Sequence, residues 1–346
     1  MDEIYLKAVD YLKDVGEDDR VLILHHWDMD GSASAAILSK ILEEVRGKGA
    51  DLVKIPEGRK HGFGRNIEKV LEDEGVSKLI VVDMSVEGER ADRIQESGVD
   101  VLNIDHHDFG ELPEKVPVVN PRIEDDDVYV PAAKICNDIA RKFGLNLDWI
   151  AGLGIIQDFA VEQNKHILEK LKKQYPNYFP ETIGQQEMAK NCRYGTYSNV
   201  LNVKPYKDTE KCAKLAFQAL VNAKSLKHLE AQDEYSKVYQ YYQEADQEFH
   251  RIREKFDSEK EEYVDLKLVF FQFSSPYHIN SSIATSVSLE RHDWIHIIVK
   301  MEDEKAQVSS RCQSGRVDLG EILRDALPED AGEGAEAGGH RNAAGA

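Results

Sequence analysis

Short hydrophobic runs alternate with amphipathic stretches in the first part of the chain. Apolar-rich runs predict four buried β-strands, at 21–24, 79–82, 99–104 and 116–119. Residues 2–15 and 33–45 instead place their apolar positions at helical spacing. Strands without polar alternation that are separated by helices are typical of a parallel sheet covered on both faces. The pattern therefore predicts an α/β domain of the doubly wound, Rossmann-like type.

The rest of the chain has a different pattern. Residues 131–160 predict two helices, and residues 161–227 are polar and helical but interrupted by prolines. A long charged helix is predicted over 228–262, before a smaller α/β region whose mixed sheet has strands at 266–273, 294–301 and 306–312 and a helix at 315–327. We therefore predict four segments: an N-terminal domain at 1–160, a helical extension or insert at 161–227, a connector helix at 228–264 and a C-terminal domain at 265–346.

The connector helix has an apolar stripe whose members are spaced alternately by three and four residues: Tyr235, Val238, Tyr242, Ala245, Phe249, Ile252 and Phe256. Such a heptad pattern fits two arrangements. The helix can lie on a neighbouring surface of its own chain, or it can form a coiled coil with a second copy. The shortness of the repeat favours the first arrangement, with a homodimer as the alternative.

Three predicted strands run directly into aspartate or histidine. The segment HWDMDG at 26–31 follows the first strand, Asp83 follows the second, and the segment DHH at 105–107 follows the third. In open α/β sheets, ligands bind at the carboxyl edge of the strands. We therefore expect these side chains to converge, although they are far apart in the sequence.

The residue types indicate a divalent metal site. His26, Asp28 and Asp30 are alternate residues that can point the same way along an extended segment, and such oxygen-rich ligands suit Mn²⁺ or Mg²⁺. An aspartate after a strand can also be a helix N-cap. Asp158 favours the metal interpretation, because it lies in an otherwise apolar segment and a buried carboxylate without a partner is costly. Two divalent ions roughly 3.5–4 Å apart need about this many ligands.

Composition restricts the partners and the location of the protein. Its 44 basic and 64 acidic residues give a net charge of −20, so a nucleic acid would have to be bound by local cations or metal ions. The four cysteines are scattered, which argues against a zinc ribbon and against a secreted disulfide framework. No apolar run approaches the roughly 20 residues of a membrane span, and the first residues have no apolar signal segment. We expect a cytoplasmic protein with no membrane partner.

The ordered motifs resemble those of the DHH phosphoesterase superfamily. They are HxDxDG at 26–31, VVDMS at 81–85, DHH at 105–107 and then Asp158. The segment GGHRNAAG at 338–345 resembles the GGGHxxAAG motif of the superfamily's C-terminal domain, with Ala337 in place of the first glycine. The end at Ala346 fits either a natural protein that continues or an end that docks back on its domain.

Two further segments are similar to the RecJ-like exonuclease and archaeal RecJ-related branch of the superfamily. The loop IPEGRKHGFG at 55–64 resembles a Pro-x-Arg…Gly-Tyr-Gly loop, and VNPR at 119–122 resembles a strand-ending Asn-Pro. The resemblance identifies residues 1–160 as the DHH catalytic domain and residues 265–346 as the DHH-associated, substrate-binding domain.

The resemblance also implies a role for each matched residue. His26, Asp28 and Asp83 would hold one metal ion. The other would be held by Asp30, Asp83, His106 and Asp158, with Asp83 bridging the two. The implied catalytic residues are Asp83, His107 on the scissile phosphate and Asp105, which would orient the histidines. The implied substrate-binding residues are Arg59, His61, Arg311, Gly338, Gly339, His340 and Arg341. Without the motif, His340 could also be a surface histidine, and the role of His61 stays open.

The implied activity is Mn²⁺-dependent exonuclease cleavage of single-stranded DNA, RNA or short oligonucleotides to mononucleotides by two metal ions, with Mg²⁺ as the alternative cofactor. A second hypothesis is a phosphodiesterase for a cyclic dinucleotide or a pApA-type dinucleotide, which would use the same catalytic domain. A third is a catalytically silent replication scaffold, as the superfamily has in the eukaryotic replicative helicase. These hypotheses imply DNA repair, RNA degradation or replication partners. An inorganic pyrophosphatase fits less well, because its C-terminal domain lacks the GGH…AAG ending.

Overall fold

The chain divides into two units. The computed structural model describes residues 2–59, 61–190, 192–302, 305–328, 335 and 337–346, without the side chains of Asp2, Arg59 and His340. The first unit comprises Met1–Lys204 and Asp208–Gln240, and the second comprises Pro205–Lys207 and Tyr241–Ala346. Among the described residues, no helix is both long enough and apolar enough to cross a membrane.

The first unit contains a parallel five-stranded sheet. Its strands are β1 (Val21–His25), β2 (Leu52–Lys54), β3 (Lys78–Val82), β4 (Asp100–Ile104) and β5 (Val118–Val119). They lie in the order β2-β1-β3-β4-β5, and every neighbouring pair is parallel. β5 is shorter than the predicted 116–119, because Pro117 has no N–H to donate to a neighbouring strand. β2 was not predicted, since three partly buried residues leave no hydrophobic pattern.

Twelve α-helices of the described chain accompany or follow these strands. They are α1 (Asp2–Lys13), α2 (Met29–Arg46), α3 (Ile67–Glu74), α4 (Gly88–Glu96), α5 (Ala132–Lys142), α6 (Asp148–Gln157), α7 (Lys165–Gln174), α8 (Gln185–Lys190), α9 (Arg193–Leu201), α10 (Thr209–Asn222), α11 (Leu226–Leu229) and α12 (Asp233–Glu259). On one sheet face, alternate strand residues such as Leu22 and Val81 pack with Ile67 of α3 and Ile94 of α4. α1, α2 and α5 contact the strands as well, and they also contact one another.

The region 161–227, apart from Pro205–Lys207, belongs to the first unit. α7, α8 and α9 contact α6, and α10 contacts α2 and β2. The Lys40 Nζ of α2 donates to the carbonyl of Val221, at 2.6 Å, near the end of α10. This region therefore rests on the helices that cover the sheet, while the predicted segment borders at 160, 227 and 264 stay predictions.

The second unit contains a mixed six-stranded sheet. Its elements are β6 (Glu261–Tyr263), β7 (Leu268–Ser274), α13 (Asn280–Ser288), β8 (Ile295–Met301), β9 (Ala306–Arg311), α14 (Leu319–Ala326), β10 (Gly338–His340) and β11 (Ala343–Gly345). The order is β10-β11-β9-β8-β7-β6, and only β7 and β8 are parallel, because α13 provides the crossover between them. β11 pairs with β9, so the C-terminal run docks back on the sheet.

The predicted fold class is confirmed in both sheets and in the long helix α12. α12 begins at Asp233 rather than 228, because residues 226–229 form the separate helix α11. α14 begins at Leu319 rather than 315, where the Asp318 carboxylate accepts from the Glu321 amide at 3.0 Å. Most of the heptad stripe is buried within the chain: Tyr235, Val238, Ala245, Ile252 and Phe256. This burial favours the connector over the coiled coil.

The first residue of β1 is held by a buried ion pair. The Asp51 carboxylate accepts from the Val21 amide at 2.9 Å and from Arg46 at 2.8 Å, and the Arg46 side chain is wholly buried. Burial raises the pKa of Asp51, but the hydrogen bonds from Val21, Arg46 and Lys48 outweigh it and lower that pKa to about 2. Ionised Asp51 therefore stabilises the start of the strand that leads into the HWDMDG segment.

We predict that Asp51→Asn lowers the free energy of unfolding by about 2 kcal/mol at pH 7. This magnitude follows from the pKa of Asp51, which is roughly two units lower in the folded protein than in the unfolded chain. Because the folded-state pKa is depressed, this stability is present above about pH 4 and is lost as the pH falls towards 2. Urea unfolding over this pH range should therefore show the two proteins converging in acid. The control is Asp73→Asn, an exposed carboxylate on α3. An Asp51→Asn deficit that is independent of pH would contradict the ion-pair explanation.

Candidate metal centre

The strand order has a topological switch point at the carboxyl ends of β1 and β3. The chain runs from β1 outwards to β2 and then crosses to β3 on the other side, so the connections after β1 and β3 leave in opposite directions. Such a switch point is where open α/β sheets bind ligands. His26 follows β1, Asp83 follows β3, and residues 105–107 follow β4. The convergence predicted from strand ends is therefore present.

The HWDMDG segment turns the chain from β1 into α2. Asp28 is the N-cap of α2, and its Oδ1 accepts from the Gly31 amide at 3.2 Å. Its other oxygen, Oδ2, lies 2.7 Å from His26 Nδ1. A Cβ on Gly31 would lie 2.2 Å from the carbonyl oxygen of His26, so the tight turn requires glycine. The N-cap of Asp28 uses one carboxylate oxygen and is therefore compatible with a ligand role for the other, which stays a prediction.

Asp83 lies between two imidazoles. Its Oδ2 is 3.6 Å from His26 Nδ1, and its Oδ1 is 3.1 Å from His106 Nε2. Its backbone is in the left-handed region, with φ of 63°. A non-glycine residue in this region is strained, and such strain is concentrated at functional sites. The backbone thus aims one carboxylate at both histidines, the geometry that a bridging ligand needs.

Asp30 and Asp158 complete the cluster around His106. Asp30 Oδ2 lies 3.8 Å from His106 Nε2, and Asp158 Oδ2 lies 3.6 Å from His106 Nδ1. The amides of Ala132 and Ala133, at the start of α5, donate to Asp30 at 2.7 and 3.0 Å. The Asp30 carboxylate also leaves no room for a side chain at Gly154 of α6, since a Cβ there would lie 2.4 Å from Asp30 Oδ1.

Asp105 contacts the His107 ring and restrains its orientation. Its Oδ1 is 2.8 Å from His107 Nδ1, and its Oδ2 accepts from the Ser85 hydroxyl at 2.7 Å. Burial raises the pKa of Asp105, but the hydrogen bonds from His107 and Ser85 keep that pKa below its usual value. Asn120 donates to the His107 carbonyl at 2.9 Å. The His107 ring is thereby fixed while its side chain stays partly exposed, which suits contact with a substrate.

Burial and mutual repulsion make the cluster unfavourable without a counter-charge. Burial, followed by the neighbouring carboxylates, raises the pKa of both Asp30 and Asp83. Burial also raises the pKa of Asp158 to about 7 and lowers the pKa of His106 to about 4. Carboxylates this close together favour protonation unless a cation is bound.

The residues present fit divalent metal ions. Within the described residues, the buried atoms His26 Nε2 and His106 Nδ1 make no hydrogen bond, as expected of imidazole nitrogens that bind a metal. Three sets of side chains place ligand atoms within 4.8 Å of one another: His26, Asp28 and Asp83; Asp30, His106 and Asp158; Asp83, His106 and His107. The first set is one of the two predicted metal sites, and the second contains the ligands predicted for the other site except Asp83. The third set joins Asp83 and His106 to His107, which was predicted to contact phosphate.

Residues outside the predicted set also shape the centre. The Tyr129 hydroxyl donates to Asp158 Oδ2 at 2.8 Å. Burial has the largest effect on the pKa of Asp28 and of Asp158, and it raises both. The positive charge of Lys204 opposes this effect of burial at both carboxylates. Ser85 ends the VVDMS motif, but the sequence assigned it no role, and Tyr129 had no sequence signal. Lys204 lies in the region 161–227, where no motif was found.

The predicted substrate-binding residues of the first unit lie on the loop after β2. The His61 ring stacks on His26, with the ring centroids 4.9 Å apart and the planes at 25°. His61 therefore borders the metal centre. Arg59 belongs to a short 3-10 helix, Glu57–Arg59, but its side chain and Lys60 lie outside the described residues.

The other predicted substrate-binding residues lie in the second unit. The Arg311 guanidinium is 2.8 Å from the Ser281 hydroxyl, and burial lowers its pKa. Gly338 and Gly339 belong to β10; Gly339 has φ of 132°, and a Cβ there would lie 2.5 Å from the Ala343 carbonyl oxygen. Arg341 is exposed and donates to the Gly315 carbonyl at 2.8 Å. The side chain of His340 lies outside the described residues.

Residues 20–178 match the model of the DHH family, N-terminal domain. This part of the chain is a DHH-family domain. A comparison with curated proteins gives no match. Among solved structures, exonuclease RecJ bound to manganese is 19% identical, with a TM-score of 0.71 over 99% of this chain and 89% of its own. RecJ of Thermus thermophilus with Mn²⁺ is 17% identical, with a TM-score of 0.72, and this chain covers 52% of it.

A pGpG-specific phosphodiesterase from Vibrio cholerae is also similar in structure. It is 14% identical, with a TM-score of 0.50 over 94% of this chain and 92% of its own. At these identities the structural similarity shows a RecJ-like fold. The DHH domain and its relatives confirm the predicted enzyme class, a metal-dependent phosphoesterase. The substrate, the identity of the metal ions and the residue roles stay predictions.

We predict that Asp83→Asn abolishes most of the thermal stabilisation by Mn²⁺. Asparagine tolerates the left-handed backbone but removes one charge from the cluster, so the variant in EDTA should melt at the parent's Tm or above it. The parent should gain about 2.7 kcal/mol at a Mn²⁺ concentration near 100 times its Kd. Thermal melts in EDTA and in graded Mn²⁺ measure both effects. Asp73→Asn is the control, and a parental Mn²⁺ response of Asp83→Asn would refute the bridging assignment.

Proposed function

We propose that this DHH-family chain is a Mn²⁺-dependent phosphodiesterase that degrades single-stranded DNA or RNA, or short oligonucleotides, to mononucleotides. The observation that supports this most strongly is the convergence of four aspartates and two histidines into two ligand sets, with Oδ1 of Asp83 in the first set 3.1 Å from His106 Nε2 in the second. Two divalent ions would neutralise phosphate charge and activate the attacking water. Mg²⁺ is the alternative, and RecJ structures with either ion have this fold.

We assign one metal ion to His26, Asp28 and Asp83 and the other to Asp30, Asp83, His106 and Asp158. The contacts of the chain support this division. Asp28 is fixed by its cap to α2, and Asp30 is fixed by the two amides of α5. Neither carboxylate therefore has to reorganise when a cation binds, which is the preorganisation that a catalytic metal site needs.

His107 is the proposed phosphate ligand. Its Nδ1 faces Asp105, so its Nε2 is left for the substrate, and the Ser85–Asp105 hydrogen bond restrains the pair. A donor held in this way can contact a phosphate oxygen without losing side-chain freedom in the transition state. His61, stacked on His26, is a second candidate at the same edge.

The second unit is the proposed binding domain for the nucleic acid chain. Arg311 and Arg341 offer cations, and the glycines of β10 allow a close approach of backbone to phosphate. His340 belongs to the same motif in sequence. These local groups would bind a polyanion despite the net charge of −20.

A dinucleotide phosphodiesterase is the second candidate function. The similarity to a pGpG-specific phosphodiesterase over almost the full length of both chains favours it. The metal centre serves either substrate, because both contain a phosphodiester. The third candidate, a silent replication scaffold, has no need to keep four carboxylates together, two of them buried, and the intact cluster argues against it. Replication or repair partners and a homodimer are compatible with each candidate.

Substrate length distinguishes the two enzymatic candidates. We predict that, with Mn²⁺, the protein releases mononucleotides from a labelled single-stranded oligonucleotide faster than it cleaves a cyclic dinucleotide or pApA. Oligonucleotides labelled at the 5′ or the 3′ end report the polarity from the first products. Faster cleavage of the dinucleotides would favour the second candidate, and oligonucleotide cleavage by Asp83→Ala at the parental rate would exclude the two-metal mechanism.

We predict that Asp105→Asn lowers kcat about 10- to 100-fold, because the amide no longer fixes the His107 ring. The rise in Tm with Mn²⁺ should be close to that of the parent, since Asp105 is not a proposed ligand. Asp108→Asn, three residues away on an exposed side chain, is the matched control and should keep full activity. Equal losses of kcat and of Mn²⁺ stabilisation would show that Asp105 acts on the metal ions instead.

A further inference from the structure

Phe159 is the most exposed large hydrophobic side chain among the described residues, at 75% exposure. It directly follows Asp158, whose carboxylate belongs to the cluster around His106. Its neighbours on the other side, Ala160 and Val161, are buried. An exposed phenyl ring at this point is unfavourable in water, since removing apolar surface from water is favourable.

The backbone of Phe159 is unfavourable as well. Helix α6 ends in a Schellman motif, in which the Ala160 amide donates to the Ile155 carbonyl at 3.0 Å and the Phe159 amide donates to the Ile156 carbonyl at 3.3 Å. Phe159 occupies the left-handed position of this motif, with φ of 55°. Glycine is the usual residue at this position because a Cβ is disfavoured there. Phenylalanine therefore replaces the residue that would stabilise the helix end best.

Hydrogen bonds from Tyr129 restrain Asp158, the residue before Phe159. The Tyr129 hydroxyl donates to the carbonyl oxygen of Asp158 at 2.9 Å and to its carboxylate at 2.8 Å. Consecutive Cα atoms are about 3.8 Å apart, so the phenyl ring starts one residue from a proposed metal ligand. Two independent costs, exposure and backbone strain, thus coincide at a residue that adjoins the site, a pattern that points to function.

We propose that Phe159 is the stacking platform for the nucleobase next to the scissile phosphate. The inference rests on the proposed function and narrows its substrate class to phosphodiesters that have a nucleobase. Every base has a flat apolar face, so stacking on an aromatic ring tolerates any sequence and serves DNA, RNA and dinucleotides. Stacking also does not depend on charge, which suits a protein whose net charge of −20 repels the phosphates of the same substrate.

The test combines stability with kinetics. Phe159→Gly removes the ring and relieves the left-handed strain, so its Tm should equal or exceed that of the parent. Its KM for a single-stranded oligonucleotide should rise about tenfold or more, within the range expected for loss of one stacked base, with a much smaller change in kcat. Phe159→Tyr keeps an aromatic face and should keep the parental KM. Phe159→Leu loses that face, so its KM should rise as the KM of Phe159→Gly does.

A base-free substrate separates stacking from any general damage to the site. In this substrate, tetrahydrofuran residues replace the nucleosides along the same phosphodiester backbone. The parent and Phe159→Gly should have the same KM for it, while they differ for the natural oligonucleotide. The control for loss of an exposed apolar side chain is Leu6→Ala on α1, which should leave both KM values unchanged.

Two results would overturn the inference while leaving the proposed function intact: a parental KM of Phe159→Gly for the natural oligonucleotide, or an equal rise in KM for both substrates. If the parent hydrolyses neither substrate with Mn²⁺, the proposed function fails and the stacking role fails with it. Running DNA, RNA and pApA in parallel shows which nucleotide class gains most from the ring.

Discussion

The repulsion among buried carboxylates at the carboxyl edge of the parallel sheet is the constraint that the first unit is built around. Asp30 and Asp83 are each 1% exposed. Burial raises the pKa of both, followed by the charge of Asp158 for Asp30 and the charge of Asp30 for Asp83. Folding forces them together only because the surrounding strands and helices bury enough apolar surface to outweigh the cost. Divalent cations would convert this unfavourable cluster into a favourable one, so metal binding and the stability of this edge are coupled.

Rigid backbone features maintain the cluster against that repulsion. Asp83 is held in a left-handed conformation, Asp28 is tied to the start of α2, and Asp30 accepts two amides from α5. Gly31 and Gly154 allow chain segments to approach where a Cβ would collide with the His26 carbonyl or the Asp30 carboxylate. The separation of the ligand atoms is therefore set by secondary-structure ends, which move less than side chains on open loops.

Much of this centre could be predicted from the sequence, because its ligands follow apolar strands and parallel strands end at one edge. His26, Asp83 and His106 illustrate this rule. The contacts that fix the ligands could not be predicted. The two α5 amides that donate to Asp30, and the hydroxyls of Ser85 and Tyr129, reach their partners only because α5 and the loops pack as they do. β2 was missed for a related reason, since three residues of a sheet edge carry no periodicity. Lys204 was missed because its charge acts through space, from a helical region without a motif.

The position after α6 shows how local rules and function diverge. Helix-capping chemistry alone predicts glycine or asparagine where Phe159 stands, and hydrophobicity alone predicts that a phenyl ring is buried. The chain violates both rules at one residue, immediately after a proposed metal ligand. Asp83 is a comparable exception, since it takes a strained backbone and a buried charge at once. A sequence that otherwise follows its local preferences departs from them where the site requires a particular side chain. Coinciding violations, rather than a motif, are therefore what distinguishes these two residues from the rest of the fold.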